Sequence, residues 1–331
     1  MMAVDWYGTP AAFIEQDWMP LVLADPDGTI FHTPAFLKLY WEEFGARDLR
    51  IAVVRRDDGQ PTAAAAFELK DRVLSWLGGF DVTDYMGPVG DPEHREWSAG
   101  ELMKSLADSP DWSKADLAGM ATHGKWLAPL TDAAGHAGLS ARVEPVDVAP
   151  FVQLPDSFEL YLSKLDAKLR HEIRRKERRL RETHPDVRLV DSTADTISAD
   201  LERFMEMHRS SRGEKGRFMV PGMELFFRRI GSTFIEDGTV RLAFLETEGV
   251  RIAAAAGFRW RDRFLLYNSA YDHAYAHDAP GMVLIAELIR STIEEGYRGF
   301  DMLKGDLAYK YRFGARARGL ARLRLRPRGS G

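Results

Sequence analysis

A pattern of three strands and two tight turns occurs twice in this chain, and this repeat limits the possible folds more than any other feature. The first copy, from Leu49, reads LRIAVVRRDDGQPTAAAAFELKDRVLSWLGGFD, and the second, from Val240, reads VRLAFLETEGVRIAAAAGFRWRDRFLLYNSAYD. The shared positions are Gly59 with Gly249, Ala63–Ala66 with Ala253–Ala256, Asp71-Arg72 with Asp262-Arg263, and Asp81 with Asp272. Their offset is 190 or 191 residues, so one inserted residue aligns the copies. A single period of this length predicts two duplicated domains, because solenoids repeat every 20 to 50 residues or so.

Each copy predicts an antiparallel meander. The first turn of each copy contains a glycine, which adopts positive φ at little cost, and the second turn contains Asp-Arg. The runs between the turns are rich in β-branched and aromatic residues, as in strands. Segments with helical periodicity precede and follow the second meander, for example PGMVLIAELIRSTIEEGYRG. Helices interleaved with a mainly antiparallel sheet predict an α+β fold.

A long basic helix is predicted at the boundary between the two domains. Asp156 or Ser157 is suited to cap its amino terminus, and leucine and isoleucine then recur near helical spacing. Pro185 ends it, because proline disfavours helical geometry at the preceding residue. We therefore predict an N-terminal domain at 1–152 and a C-terminal domain at 153–331 that begins with a connector helix at 156–183.

Composition and charge narrow the possible functions. The chain has 331 residues and a formal net charge of −5, but nine Lys or Arg face three acids at 164–181, and seven Arg with no acid follow from 312 onward. The acidic remainder argues against DNA binding, while the basic segments can attract an anionic partner. The lack of cysteine excludes disulfides and thiolate catalysis, and no metal-ligand spacing occurs. No run approaches the ~20 apolar residues of a membrane span, and the amino-terminal segment lacks a signal-peptide pattern, so we expect a cytoplasmic protein.

Five segments carry a resemblance to a known family: TDYMGPVG, KLDAKLRHEIRRKERRL, MHRSSRGEKGRF, YDHAYAHDAPGMVL and GFDMLKGDLAYKYRFG. They resemble the FemAB-like branch of the GNAT superfamily, in the group of cellulose-biosynthesis-associated acetyltransferases. The most specific motif is Gly-Asp-x-x-Tyr-Lys before an aromatic residue and a glycine, here Gly305, Asp306, Tyr309, Lys310, Phe313 and Gly314. The resemblance implies two tandem GNAT-like domains, each a mainly antiparallel twisted sheet flanked by helices. It also implies N-acyl transfer from an activated carrier, acyl-CoA as co-substrate, to an amine or amino-acid-like acceptor.

Acyl transfer of this kind needs an anionic carrier held in place and a stabilised carbonyl oxygen. In the fold that the resemblance implies, a central strand exposes N–H groups to the carbonyl, and the next helix presents its amino terminus to the pyrophosphate. Asn268 and Ser269 lie on that strand, and Gly281 and Met282 lie at that helix start. Arg170 and Arg174 are four residues apart on the connector helix and so share a face that can clamp a phosphate. These six residues are the predicted carrier-binding set.

Tyr309, Lys310 and Asp301 are the predicted catalytic residues. The resemblance places Tyr309 where acetyltransferases protonate the leaving thiolate, and a phenol of pKa ~10 is able to donate that proton. Lys310 is predicted to contact carrier phosphate or the acyl carbonyl, and Asp301 to orient the amine or Lys310. Structural roles remain open for all three: a core aromatic, a solvated strand face and a partner for a neighbouring arginine.

The predicted acceptor-binding residues come from both halves of the chain. They are Asp84, Tyr85, His208, Arg212 and Tyr271. His208 is a candidate general base, although a single histidine is more often structural. The first domain lacks a counterpart of GDLAYK, so we expect it to serve as a scaffold and a wall for the acceptor.

The identity of the carrier stays open at this stage. The coenzyme A fingerprint Gln/Arg-x-x-Gly-x-Gly/Ala is absent, and Asp278, just before the helix start, is expected to repel a pyrophosphate. One alternative is a Fem-type aminoacyl transferase that uses charged tRNA, which the basic connector favours. Another is a non-catalytic binding module that docks on an acidic partner through its arginines.

Overall fold

The structure is a computed structural model that describes residues 3–9, 15–45, 48–211 and 218–327. Its strands are β1 (Val4–Tyr7), β2 (Asp48–Arg55), β3 (Pro61–Lys70), β4 (Val73–Trp76), β5 (Val89–Gly90), β6 (Lys114–Ala121), β7 (Leu139–Gln153), β8 (Arg188–Asp191), β9 (Val240–Thr247), β10 (Val250–Trp260), β11 (Arg263–Tyr271), β12 (Gly299–Asp301) and β13 (Arg316–Pro327). Its helices are α1 (Glu15–Ala24), α2 (Pro34–Phe44), α3 (Arg95–Ala107), α4 (Leu127–His136), α5 (Phe158–Lys164), α6 (Ala167–Thr183), α7 (Ile197–Arg209), α8 (Pro221–Phe234), α9 (Pro280–Glu294) and α10 (Ala308–Tyr311). Short 3₁₀ turns lie at Ile30–His32, Pro92–His94 and His273–Asp278.

The chain divides into two compact units, Met1–Val148 with Arg318–Gly331, and Ala149–Ala317. The sequence-based division at 152/153 places the last strand in the second domain. In the structure most of β13 belongs to the first unit, because Leu320–Leu325 pair with β6. The chain therefore returns to its first unit after completing the second, which periodicity along the sequence does not reveal.

The first unit is built on a mixed sheet. Its strand order is β1-β2-β3-β4-β6-β13 followed by the first part of β7, and β5 pairs with β3. The neighbours β1 to β4 are antiparallel, whereas β4 and β6 are parallel. Helices α3 and α4 contribute Leu102, Met103 and Leu130 to the core on one face.

The second unit has a sheet in the order β7-β12-β11-β10-β9-β8, entered by the end of β7. Strands β8 to β11 are antiparallel, and β11 and β12 are parallel. Helices α5, α6 and α9 pack over one face, where Leu284 and Leu288 of α9 meet Ala253 and Ala255 of β10. The small alanines let the helix lie close to the sheet. The predicted α+β class is confirmed in both units.

The duplicated meander appears as β2-β3-β4 in the first unit and β9-β10-β11 in the second. The first copy turns at Asp71–Arg72, both with positive φ, between the paired Lys70 and Val73. The second copy turns between the paired Trp260 and Arg263. Its turn residues are therefore 261–262, one residue earlier than the alignment of Asp-Arg predicts, so the inserted residue lies after this turn.

The predicted connector at 156–183 is two helices rather than one. Leu165, between α5 and α6, is extended with ψ 153°. Asp166 then caps α6, because its carboxylate accepts the Leu169 N–H at 2.8 Å. An aspartate that captures a first-turn donor restarts a helix more readily than it continues one. The single-helix prediction missed this internal cap.

Candidate functional site

A cavity opens in the second unit where two parallel strands separate. Strands β11 and β12 pair over three residues, Arg263–Leu265 of β11 with Gly299–Asp301 of β12. Beyond Leu265, β11 continues to Tyr271 without β12 beside it. The cavity has a volume of about 370 Å³. Its lining residues are Ser269, Tyr271, Ala276, Ala279, Pro280, Gly281, Met282, Ile285, Tyr309, Arg312 and Phe313.

A β-bulge in β11 directs two of these side chains into the cavity. Gly257 pairs with Leu266, but Ala256, which precedes Gly257 in β10, pairs with Asn268, so Tyr267 is an extra residue. An extra residue moves every later side chain to the other face of the sheet. Ser269 and Tyr271 consequently face the side on which α9 packs, since their partners Ala255 and Ala253 belong to that core.

The amino terminus of α9 forms another wall of the cavity. The residue before Pro280, Ala279, has left-handed backbone geometry with φ 54°, and no side chain caps the helix. Proline has no N–H, and no described residue accepts the N–H of Gly281. A side chain at Gly281 would place its Cβ 3.2 Å from Cδ1 of Tyr271. This open helix end, with its partial positive charge, is suited to an anion.

Asp278 does not oppose an anion there in the way that the sequence suggests. Its carboxylate is buried, with 1% of the residue exposed. It lies 2.9 Å from Nε2 of His277, 3.3 Å from Nε2 of His184 and 3.6 Å from Nε of Arg179. Arg179 is always charged, so the negative charge of Asp278 is compensated by α6 and the residues just beyond it. The repulsion between Asp278 and a pyrophosphate that the sequence predicts is therefore weakened by contacts with residues almost 100 positions earlier in the chain.

Tyr309 reaches the cavity from the short helix α10. Its side chain is hydrogen-bonded to Ser269, and 38% of the residue is exposed. Burial raises the pKa of Tyr309 above its usual value of 10.0, and the hydrogen bond with Ser269 opposes part of that rise. The phenol is therefore a neutral proton donor across the physiological range. Arg312 and Phe313 follow three and four residues later, so one helical face brings all three to the cavity.

Lys310 and Asp301 are buried and are not among the described residues that line the cavity. Lys310 is 3% exposed, and its Nζ donates to the carbonyl oxygens of Leu303 at 2.9 Å and Lys304 at 2.7 Å. Asp301, 1% exposed, accepts the Leu303 N–H at 2.9 Å. The view of Lys310 as part of a solvated strand face is wrong, because 308–311 form a helical turn that buries it. Both residues hold the loop that leads to Tyr309.

The predicted phosphate clamp is not brought to the cavity. Arg174 pairs with Glu159 of α5 at 2.7 Å, and Nη1 of Arg170 lies 3.4 Å from the carbonyl oxygens of Ser163 and Leu165. Both arginines therefore fasten α6 to the segment before it. Neither is among the described residues that line the cavity.

The predicted acceptor residues are scattered. Tyr271 lines the cavity, and His208, 1% exposed, contacts Asn268 with its Nε2 3.1 Å from Oδ1. Asp84 and Tyr85 belong to the first unit, where 8% and 7% of each residue is exposed. Arg212 lies outside the described residues.

Sequence reasoning missed Arg312 and Phe313 as cavity residues. The spacing of Tyr309, Arg312 and Phe313 was the available signal, since residues i, i+3 and i+4 share one face of a helical turn, whereas a strand would turn Arg312 to the opposite face. Ala276 and Ala279 carried no signal, because they depend on the 3₁₀ turn before α9.

Residues 167–311 match the family described as the acetyltransferase (GNAT) domain. The matched segment runs from the first residue of α6 to the last residue of α10. It contains Tyr309, Gly281 and the bulged strand β11. No curated protein matches the sequence.

Solved structures share the fold along nearly the whole chain. FemX is similar at 10% identity with a TM-score of 0.67, over 96% of each chain. The C-terminal domain of a putative lysylphosphatidylglycerol synthetase from Agrobacterium fabrum is similar at 14% identity and a TM-score of 0.60, over 96% of this chain and 92% of the other. A tandem GNAT protein from the clavulanic acid biosynthesis pathway is similar at 12% identity and a TM-score of 0.50, over 97% of this chain and 98% of the other. At these identities the likeness is one of fold.

No described helix is long and apolar enough to cross a membrane. Within the described residues, no three or more His, Asp or Glu side chains are grouped so that they could hold a metal ion.

Proposed function

We propose that this acyltransferase, whose residues 167–311 match the acetyltransferase (GNAT) domain family, moves an acyl group from acyl-CoA to the amine of a small acceptor. The observation that carries the proposal is the cavity of about 370 Å³ in the second unit. It joins the open edge of β11, the uncapped start of α9 and the phenol of Tyr309. Each of these supplies one requirement of acyl transfer.

The start of α9 supplies the carrier site. The pyrophosphate of coenzyme A is an anion, and the free N–H of Gly281 points out of a helix amino terminus. Because the charge of Asp278 is compensated by Arg179, it does not cancel this attraction. The missing sequence fingerprint is therefore compatible with a coenzyme A site built from a different loop.

The edge of β11 and Tyr309 supply the chemistry. Beyond Leu265 the strand has no parallel neighbour. The Ser269 N–H donates to Oδ1 of Asn268, so the N–H groups of this edge that remain unbonded are the ones available to the thioester oxygen. The neutral amine attacks the carbonyl carbon, a C–N bond forms and the C–S bond breaks. The departing thiolate takes the Tyr309 proton, and the proton lost by the amine restores the phenol through solvent. Lys310 and Asp301 hold the loop from which Tyr309 extends.

We assign the working site to the second unit and a supporting role to the first, with Asp84 and Tyr85 as acceptor-binding candidates. The first copy of the meander stops at Trp76. It lacks the bulge that turns Ser269 and Tyr271 toward the cavity. Its counterpart of α9, α3, carries an acid, Glu96, in its first turn, which disfavours a pyrophosphate.

The test is a panel of acyl-CoAs and amines in which free thiol is followed with a colorimetric reagent. Coenzyme A is expected to raise the melting temperature, whereas pantetheine, which lacks the pyrophosphate, is expected to raise it much less. Absence of thiol release across the panel, together with no melting shift from coenzyme A, would remove the acyl-CoA proposal.

A second candidate, transfer from aminoacyl-tRNA, is favoured by one surface. Among the described residues, Lys168, Arg175 and Lys176 of α6 have no ion-pair partner and form a basic strip. Filter binding to charged tRNA at several salt concentrations tests this candidate, because phosphate contacts weaken steeply with salt. Salt-dependent binding together with silence toward acyl-CoA would favour tRNA as the carrier.

A further inference from the structure

We propose that His208 is a positioning residue that fixes the placement of Tyr309 through Asn268 and Ser269. The contacts stand by themselves, whereas their catalytic meaning rests on the proposed function. They join a buried histidine on one face of the sheet to the cavity on the other.

The first contact fixes the tautomer of His208. Its Nε2 lies 3.1 Å from Oδ1 of Asn268, and the same oxygen accepts the Ser269 N–H at 2.8 Å. The Ser269 N–H identifies this atom as the amide oxygen, which can only accept hydrogen bonds. Nε2 of His208 must therefore carry the hydrogen that it donates to Oδ1 of Asn268. The donor persists in both the neutral and the protonated ring.

The bulge makes the connection through the sheet possible. Asn268 pairs with Ala256, which faces the apolar cluster around Phe227 of α8 and Ile197 of α7. Ser269 pairs with Ala255, which faces α9. Neighbouring residues of β11 therefore project to opposite faces, and the Asn268 carbonyl oxygen holds the Ser269 N–H between them.

His208 is itself held in one place. Its ring lies between those of Phe204 and Phe218, with centroid distances of 5.9 and 5.7 Å. Only 1% of the residue is exposed. Such a histidine is unsuited to accept a proton from a substrate amine in the cavity, because the Asn268 amide lies between and does not relay protons. Its contribution is a rigid donor.

The last contact reaches the reacting group. The Ser269 side chain bonds Tyr309, which holds the phenol toward the cavity and stabilises its ionised form. Loss of the His208 donor leaves the Asn268 amide free to rotate and Ser269 free to shift. We therefore expect the phenol to lose its fixed direction and its pKa to rise further.

The experiment labels tyrosine with ¹³C at Cζ and follows the Tyr309 signal, assigned with a Tyr309→Phe sample, through an alkaline titration. In His208→Ala the pKa of Tyr309 is expected to rise, and kcat to fall about tenfold with little change in the KM for acyl-CoA. His208→Gln, which keeps a donor at the same reach, is expected to restore both. His171→Ala, at an exposed histidine of α6, is the control for removing an imidazole.

An unchanged Tyr309 pKa in folded His208→Ala overturns the proposal, as does failure of His208→Gln to restore it. If His208→Ala does not fold, Asn268→Ala replaces it, because that change removes the next link of the same chain of contacts. If the pKa of Tyr309 rises in His208→Ala but the wild-type protein shows no acyl transfer, the contact network from His208 to Tyr309 stands and the proposed function is wrong.

Discussion

Replacing Tyr309 by phenylalanine separates chemistry from binding and from folding. The change removes one hydroxyl, which bonds Ser269 and faces the cavity, and it keeps the ring. Because the residue is 38% exposed and loses one neutral hydrogen bond, we expect the free energy of unfolding to fall by no more than about 1 kcal/mol. The proposed carrier site at Gly281 is untouched, so the KM for acyl-CoA should stay within about twofold.

The rate should change much more. Loss of a positioned general acid costs about 10²- to 10⁴-fold. A thiolate whose pKa is near 8.5 leaves without help more readily than an alkoxide, so the lower part of this range applies. We expect kcat to fall about 10²- to 10³-fold, equal to about 3–4 kcal/mol of transition-state stabilisation. Since burial raises the pKa of Tyr309, the wild-type rate should fall only at alkaline pH, above 10, and this limb should vanish in Tyr309→Phe.

Tyr311→Phe is the matched control. It is the same chemical change two residues away, at a hydroxyl that bonds Asp306 at 2.6 Å and does not line the cavity. Thiol release under saturating acyl-CoA and denaturant unfolding should be measured for both variants. A Tyr309→Phe enzyme with kcat within about threefold of wild type, or a Tyr311→Phe enzyme equally impaired, would refute the assignment of the acid.

Three further variants test packing and charge. Gly257→Ala would place a Cβ 2.4 Å from a backbone oxygen of the neighbouring strand. Denaturant unfolding should therefore show that the free energy of unfolding falls by about 2 kcal/mol or more. The control is Gly135→Ala in helix α4, where a Cβ would meet nothing within 4 Å, and this change should be neutral or stabilising. Burial raises the pKa of Glu177 above 4.5, so its ionised form opposes folding. Glu177→Gln should therefore raise the free energy of unfolding at neutral pH, and the gain should disappear below pH 4.5; an equal gain at both pH values would contradict this cause. Lys310→Met removes two hydrogen bonds from a buried ammonium and should cost about 2–4 kcal/mol in unfolding experiments, whereas Lys168→Met at an exposed site should cost almost nothing.

The repeat and the helical periodicities predicted the α+β class and the paired meanders, because both depend on local spacing. The helix predicted at 156–183 was wrong at Leu165 and Asp166, since a side-chain cap competes with helix continuation at one residue and leaves the apolar spacing intact. The return of β13 to the first unit depends on pairing with β6, which lies about 200 residues earlier. Such pairing has no signature in a single sequence.

The residues predicted for the candidate site also fall into two groups, those that lie at the cavity and those that do not. Gly281, Met282, Ser269, Tyr271 and Tyr309 were singled out separately, and the structure places all five around one cavity. The residues that lie together were chosen for a local use, such as glycine at a helix start. The charged residues do not join them, because a charged side chain is attracted to whichever partner the fold supplies. The two arginines predicted to clamp phosphate fasten α6 instead, and the acid predicted to repel it is compensated.

A single inserted residue accounts for much of the difference between the two copies. Each unit has a parallel pair that separates early, β4 from β6 after Leu74 and β11 from β12 after Leu265. Separation alone therefore does not create the site. The copies are offset by 190 residues at their turns and by 191 at Asp81 and Asp272, and the extra residue Tyr267 lies within that interval. Because one added residue reverses the face of all that follow, it aims Ser269 at Tyr309 in the second copy, an arrangement that a duplicate without the bulge does not have.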